Sequence, residues 1–139
     1  MSPLEIEIAA KIIIAAVVGM LIGLEREIRR KPAGMRTHAL VCIGATLFTI
    51  LSFSFTGGSV DTSRIAAGIV TGIGFLGAGV IFRAEDKVKG ITTAAELWVL
   101  AAIGVAIGVG MYFAAAVSTI VVLVMLWPAK ILERKVVRR

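Results

Sequence analysis

The strongest constraint on the fold is a stretch of uncharged, mostly apolar residues at positions 97–127. As a single α-helix it would be roughly 46 Å long at about 1.5 Å per residue, whereas the hydrocarbon core of a bilayer is about 30 Å thick. Two membrane-spanning helices therefore fit the stretch better than one. The turn between them is predicted at Gly108-Val109-Gly110, because glycine adopts backbone conformations that other residues avoid.

Three further apolar segments, at residues 4–24, 37–55 and 65–82, are close to the length of about 20 residues that a transmembrane helix needs. Apolar residues make up 58% of the chain, above the roughly 45–50% that is usual for a soluble domain. The sequence predicts an all-α bundle of about five transmembrane helices, formed by residues 1–139 as a single domain. We expect it in the cell membrane, with the lipid bilayer around it.

The positive charges indicate an orientation for this bundle. The chain has 15 Lys and Arg residues, and with five spans all but Lys11 and Arg64 lie on one side of the membrane. Since loops rich in Lys and Arg stay in the cytoplasm, we expect the N-terminus outside and the C-terminus in the cytoplasm. The same charges do not indicate nucleic-acid binding, because few aromatic residues lie among them.

The single cysteine, Cys42, excludes a disulfide within the chain.

The glycines follow a pattern of their own. Gly72, Gly74 and Gly77 have the G-x-G-x-x-G spacing of a dinucleotide-binding loop. This spacing lies in mid-span, where holding a diphosphate would cost a large desolvation free energy. Glycines four residues apart instead let membrane helices approach closely. An unwound, ion-binding segment at residues 72–79 is the alternative that the sequence leaves open. The predicted helix-packing glycines are Gly19, Gly23, Gly68, Gly72, Gly79, Gly104 and Gly108.

Polar residues near the cytoplasmic ends of the predicted spans are candidates for function. A carboxylate at the depth of Glu25 needs a cation. The candidates for that cation are Arg36, Arg83 or a metal ion. Glu96 lies about one turn inside the fourth span, either as an interfacial acid or as a member of a polar network. His38, the only histidine, is interpreted as an interfacial group.

The opposite side of the membrane has fewer polar candidates. Asp61 is predicted to cap the third helix and to pair with Arg64 three residues later. Contact with a substrate or a lipid headgroup is the alternative for Arg64. Back on the cytoplasmic side, Thr92 and Thr93 are predicted to cap the fourth helix.

Four stretches of the chain resemble the membrane domain of the MgtC/SapB family. They are GLERE at 23–27, GMRTHAL at 34–40, SRIAAGIVTGIGFLGAGVI at 63–81 and GITTAAELWVLAAIG at 90–104. The resemblance implies a bacterial or archaeal inner-membrane protein with about five spans, linked to magnesium limitation and, in pathogens, to survival inside host cells. The candidate functional residues that it implies are Glu25, Arg26, Arg36, Thr37, Asp61, Arg64 and Thr92, to which Glu96 is added from its position in the span.

The chain departs from the family pattern at three places. Gly68 stands where the family often has Gln, so a polar group in the third span is missing. Glu96 stands where the family usually has Ser or Thr. Many members add a soluble C-terminal domain, whereas this chain stops at Arg139.

Two functions fit these features. The first is a non-enzymatic protein of magnesium or other divalent-cation homeostasis that acts through membrane partners, for which the resemblance suggests the ATP synthase. The second is an oligomeric transporter or channel for Mg²⁺ or another cation. A homo-oligomer is expected, because five short spans leave little room for a pore in one chain. No cofactor is predicted, and Mg²⁺ is the ligand for which the acids near the spans are candidates. Neither a Ser/His/Asp set nor a metal motif indicates an enzyme.

Overall fold

The computed structural model describes residues 2–55, 61–84 and 87–127. They form five α-helices and one short hairpin in which β1 and β2 are antiparallel. The elements are α1 (Pro3–Ile28), α2 (Met35–Ser52), α3 (Ser63–Val80), β1 (Phe82–Ala84), β2 (Lys87–Lys89), α4 (Ile91–Gly108) and α5 (Tyr112–Leu126). The predicted all-α membrane architecture is confirmed, and the hairpin between α3 and α4 is a small addition that the sequence did not indicate.

Four of these helices, α1 to α4, are long and apolar enough to cross a membrane, and α5 is a shorter apolar helix of 15 residues. The predicted break in the longest apolar stretch is confirmed. The helix α4 ends at Gly108, and Gly110 turns the chain with a φ of 87°, which residues with a side chain rarely adopt. The orientation across the bilayer stays a prediction, and the basic residues at 130–139 that favour it lie outside the described residues.

The first helix continues one turn beyond the apolar segment. It begins with a capping box in which the Ser2 side chain accepts the N–H of Glu5 at 3.3 Å and the Glu5 carboxylate accepts the N–H of Ser2 at 2.6 Å. At its other end α1 runs to Ile28. Glu25 and Arg26 therefore belong to the helix, and both are buried in the bundle.

The fourth helix is the centre of the bundle, because it contacts α1, α2, α3 and α5. Its apolar buried residues include Leu97, Leu100, Ile103 and Ile107, which recur every three or four positions along one face. The start of α4 depends on Gly90, which has a φ of 95°. A Cβ at this position would overlap the carbonyl oxygen of Val80.

Close packing of α1 on α2, and of α2 on α4, depends on glycine. A Cβ at Gly19 or Gly23 would lie 2.6 Å from a backbone atom of α2. A Cβ at Gly104 would lie 2.7 Å from the carbonyl oxygen of Cys42, and one at Gly108 would lie 2.6 Å from the Cβ of Thr49. These four glycines thus lie where the predicted helix contacts are.

The third helix is held more loosely. Its buried residues are Ile73 and Gly77. A Cβ at Gly68, Gly72 or Gly79 would meet no atom within 4 Å, so the prediction that these three bring helices together is wrong within one chain. No helix of the described chain covers that side of α3. The alternative of an unwound segment is wrong as well, since α3 is one continuous α-helix.

A buried ion-pair cluster as candidate functional site

Charged and titratable side chains from three helices meet at one end of the bundle. Glu25 and Arg26 of α1 are 6% and 4% exposed, His38 of α2 is 0% exposed, and Glu96 of α4 is 6% exposed. Charges inside a membrane bundle are costly unless they are paired. We call these four residues, with Thr93 and Arg29, the buried cluster.

Arg26 is the centre of the cluster. Its Nε lies 2.8 Å from Oε2 of Glu96, and its Nη1 lies 3.4 Å from Oε2 of Glu25. Its Nη2 donates a hydrogen bond to Oγ1 of Thr93 at 3.2 Å. One guanidinium therefore connects α1 with two positions of α4.

A second arginine closes the outer side of the cluster. Arg29 pairs with Oε1 of Glu25, one helical turn earlier, and its side chain is 21% exposed. Its Nη2 also donates to the carbonyl oxygen of Trp127 at 3.1 Å. The cations beside Glu25 are thus Arg26 and Arg29. Arg36 and Arg83, which are more distant along the chain, were predicted instead because the i+4 spacing of Glu25 and Arg29 was not used.

His38 belongs to the cluster as well. Its Nδ1 lies 2.9 Å from the carbonyl oxygen of Gly34, and its Nε2 lies 3.3 Å from Oε1 of Glu96. The interpretation of His38 as an interfacial group is wrong, because Gly23 has no side chain to keep α2 away. A Cβ at Gly23 would lie 2.9 Å from the Cβ of His38.

The cluster is held by charge more than by aligned hydrogen bonds. Both carboxylate oxygens of Glu96, together with Arg26 Nε and His38 Nε2, are buried without a partner in hydrogen-bond geometry, although they lie in contact. Among residues 2–55, 61–84 and 87–127, no group of three or more His, Cys, Asp and Glu side chains is placed to hold a metal ion. Oε1 of Glu25 is also without such a partner, but its Oε2 accepts from Arg26, so Glu96 is the carboxylate of the cluster with neither oxygen satisfied.

The sequence is similar to those of a known protein family. A model of the MgtC family matches residues 12–135. The chain belongs to the MgtC family. It is 50% identical to the Salmonella typhimurium protein MgtC over 90% of this chain and 52% of that protein. It is 47% identical to a putative magnesium transporter, YhiD, of Escherichia coli K12, over 76% of this chain and 53% of that protein.

An uncharacterised protein of Haemophilus influenzae is 38% identical over 99% of this chain and 62% of its own length. The chain thus spans between about half and three fifths of the length of these curated MgtC-family relatives. No solved structure matches the chain at a significant level.

Three other predicted residues lie near the cluster in this MgtC-family fold but outside it. Arg36 and Thr37 are exposed in the first turn of α2, and Thr92 is exposed in the first turn of α4. The prediction that Thr92 and Thr93 cap α4 is wrong, because the N-cap is Gly90 and no side chain caps this end. The Thr93 hydroxyl is used by Arg26 instead.

A basic cleft of about 490 Å³ opens beside the cluster. Its walls come from the end of α1 and the following loop, the hairpin, and the start of α4. The lining includes Arg26, Arg30, Lys31, Lys89, Thr92 and Thr93. Arg26 and Thr93 therefore contribute to both the cleft and the buried cluster.

At the opposite end of the bundle, Asp61 and Arg64 lie apart from this site. The N-cap of α3 is Thr62, so the predicted cap is off by one residue. Asp61 Oδ1 accepts hydrogen bonds from the hydroxyl of Ser63 at 2.6 Å and from its N–H at 2.9 Å. These two bonds, and to a smaller extent the charge of Arg64, lower the pKa of the Asp61 carboxyl. Within the described residues no ion pair joins Asp61 to Arg64.

Sequence reasoning missed His38, Thr93 and Arg29 as members of the cluster. One available signal was helical spacing on α1, since Gly19, Gly23 and Arg26 follow one another at intervals of four and three residues. Residues with these intervals share a face. That face contacts α2 through the glycines, so the guanidinium that follows them enters the bundle.

Proposed function

We propose that this chain is a non-enzymatic membrane protein of magnesium homeostasis that acts by contact with other membrane proteins. Membership of the MgtC family supports the cellular process, as does the name of the E. coli relative, a putative magnesium transporter. The observation that carries the contact mechanism is the open glycine face of α3.

This face is suited to receiving another helix. Gly68 and Gly72 line an apolar groove of about 620 Å³ between α2 and α3. In a bilayer, apolar surface alone gives helices little reason to associate, whereas small residues let two backbones approach and gain dispersion contacts. A glycine face without an occupant inside the chain therefore favours an occupant from outside it.

The buried cluster favours contact over ion transport. Glu25 and Glu96 each lie against an arginine. Mg²⁺ is usually bound through one or two carboxylates while it keeps several waters. To use either acid here it would have to displace a guanidinium and bring water into a buried site.

The alternative function is an oligomeric cation transporter. It is supported by the name of the E. coli relative, and the glycine face of α3 would fit a second copy of the chain as well as another protein. Purified chain in liposomes tests this alternative. A Mg²⁺ flux above that of empty liposomes would favour transport over partner contact.

The main test compares two glycines of α3. A Cβ at Gly72 or at Gly74 would meet no atom within 4 Å, so Gly72→Leu and Gly74→Leu are both expected to fold. The two positions lie about 200° apart around the helix, and only Gly72 lines the groove.

Each variant is expressed in a bacterial strain that lacks its own family member and grows poorly at limiting magnesium. We expect Gly72→Leu to accumulate at the wild-type level in the membrane and to lose the rescue of growth. Gly74→Leu should rescue like the wild type. Equal rescue by both variants would sink the contact mechanism.

A further inference from the structure

We propose that His38 and Glu96 bind one proton between Nε2 of the imidazole and Oε1 of the carboxylate, so that the buried cluster contains a proton-binding site. The ligand is a hydrogen ion, and the site connects α2 to α4. Its occupancy follows from which atoms in the cluster can donate and which can only accept.

The first step is the proton on Nδ1. This nitrogen lies 2.9 Å from the carbonyl oxygen of Gly34. A carbonyl oxygen only accepts hydrogen bonds, so the contact is favourable when Nδ1 carries a hydrogen. The same oxygen also accepts the N–H of His38 at 3.1 Å, which a carbonyl with two lone pairs accommodates. Gly34 thus favours an imidazole protonated on Nδ1.

The second step concerns the other nitrogen. In a neutral imidazole with a proton on Nδ1, Nε2 presents a lone pair. Nε2 lies 3.3 Å from Oε1 of Glu96, outside aligned hydrogen-bond geometry, and an ionised carboxylate also only accepts. Both atoms are buried, so no bulk water separates them. Two acceptors in this position repel each other unless a proton lies between them, as imidazolium with carboxylate or as imidazole with carboxylic acid.

The surrounding charges balance without that proton. Glu25, Glu96 and Arg26 are buried, and Arg29 at the rim pairs with Glu25, so two negative and two positive charges sum to zero. The proton is therefore favoured by the two facing acceptors, Nε2 of His38 and Oε1 of Glu96, and not by net charge.

The buried pair lies one side chain away from the basic cleft, because Arg26 lines the cleft and contacts Glu96. Arg30, Lys31 and Lys89 line the same cleft. Exchange is therefore expected from the side of the membrane on which the cleft opens, and the neighbouring positive charges oppose the arrival of a proton without preventing it.

The site links protonation to helix packing. With the proton bound, His38 and Glu96 attract each other and hold α2 against α4. Without it, the same two atoms become facing acceptors at 3.3 Å.

The experiment uses the fact that the chain has one histidine. The full chain, freed of any polyhistidine tag, is labelled with ¹⁵N-histidine and reconstituted in nanodiscs. At about pH 8 an ordinary imidazole is neutral. The ¹⁵N shifts of His38 report which nitrogens are protonated, and infrared spectra report a carboxylic acid. Glu96→Gln removes the proposed acceptor with little change of shape, and Glu7→Gln is the control at an exposed acid.

We expect Nδ1 of wild-type His38 to be protonated. We also expect either a protonated Nε2 or a carboxylic-acid band that Glu96→Gln abolishes and Glu7→Gln leaves unchanged. In Glu96→Gln the imidazole should become neutral with its proton on Nδ1, a loss of one bound proton per chain. A wild-type imidazole protonated only on Nε2 would overturn the proposal. So would one protonated only on Nδ1 with no carboxylic-acid band. These outcomes are read on the wild type, so they stand even if Glu96→Gln fails to fold.

Discussion

The contact between α2 and α4 and the face of α3 differ in what surrounds their glycines. Gly104 lies against α2, where Thr46 Oγ1 donates to the Gly104 carbonyl oxygen at 2.8 Å and an added Cβ would lie 2.8 Å from the Cβ of Ala45. Gly68 and Gly72 have the same four-residue spacing as Gly104 and Gly108, yet nothing lies within 4 Å of an added Cβ. Equal spacing thus accompanies opposite packing.

The difference teaches that a small-residue motif predicts a surface that backbones can approach, and does not say which backbone approaches it. At Gly104 the approaching helix, α2, belongs to the same chain. On α3 no helix of the described chain lies against Gly68, Gly72 or Gly79. We therefore assign folding mainly to α1, α2 and α4, and we propose the open face of α3 for contact with another molecule.

The largest effect is expected from breaking the cluster on the packed side of this comparison. Arg26→Met would leave Glu25 and Glu96 buried with much of their compensating charge removed, and should lower the free energy of unfolding by about 3–5 kcal/mol. Denaturant unfolding of the purified chain in detergent measures it. Arg36→Met, at an exposed position of α2, should stay within about 0.5 kcal/mol of the wild type. Equal losses in both variants would mean that the cluster does not stabilise the fold.

The second prediction compares the two kinds of glycine directly. Gly104→Leu forces a side chain against the backbone of α2 and should cost about 1–3 kcal/mol or more, the usual range for overpacking. Gly72→Leu should cost less than about 0.5 kcal/mol, because its side chain enters open space. Thermal unfolding of both variants in the same detergent checks this, and a larger loss for Gly72→Leu would reverse the assignment of the two faces.

A smaller effect is expected from the hydrogen bond between α2 and α4. Thr46→Val keeps the shape of a buried side chain and removes the donor to Gly104. Hydrogen bonds between membrane helices average about 0.6 kcal/mol, and a loss of that size is expected in unfolding measurements. Thr71→Val is the matched control, since Thr71 bonds within its own helix and is exposed. A control loss as large as the Thr46 loss would show that the bond between helices adds nothing.

The smallest effect is expected at the start of α3, where Asp61 accepts two bonds from Ser63. The pKa of Asp61 is lowered in the folded chain, so its stabilisation is present above the ordinary Asp value of 3.8 and is lost as the pH falls through the folded value. Unfolding of Asp61→Asn should differ slightly from the wild type at neutral pH and coincide with it in strong acid. A difference that grows in acid would contradict the sign.

Much of the fold was predictable from the sequence, because long apolar stretches and the glycines at 108 and 110 constrain membrane helices strongly. The candidate site was predictable only in part. Glu25, Arg26 and Glu96 stood out as charged residues near the ends of the spans. The contact of His38 with Glu96 depends on how three helices meet, which helical spacing within any one of them does not determine. The open side of α3 was missed for the same reason.

The most direct test of the division between a folding region and a contact face is photo-crosslinking in growing cells. A photoreactive side chain is placed at position 72 or at position 74, and the adducts formed at limiting magnesium are identified by mass spectrometry. We predict adducts with the transmembrane helix of a different membrane protein from position 72, and with lipid alone from position 74. Lipid adducts alone from both positions would contradict the account.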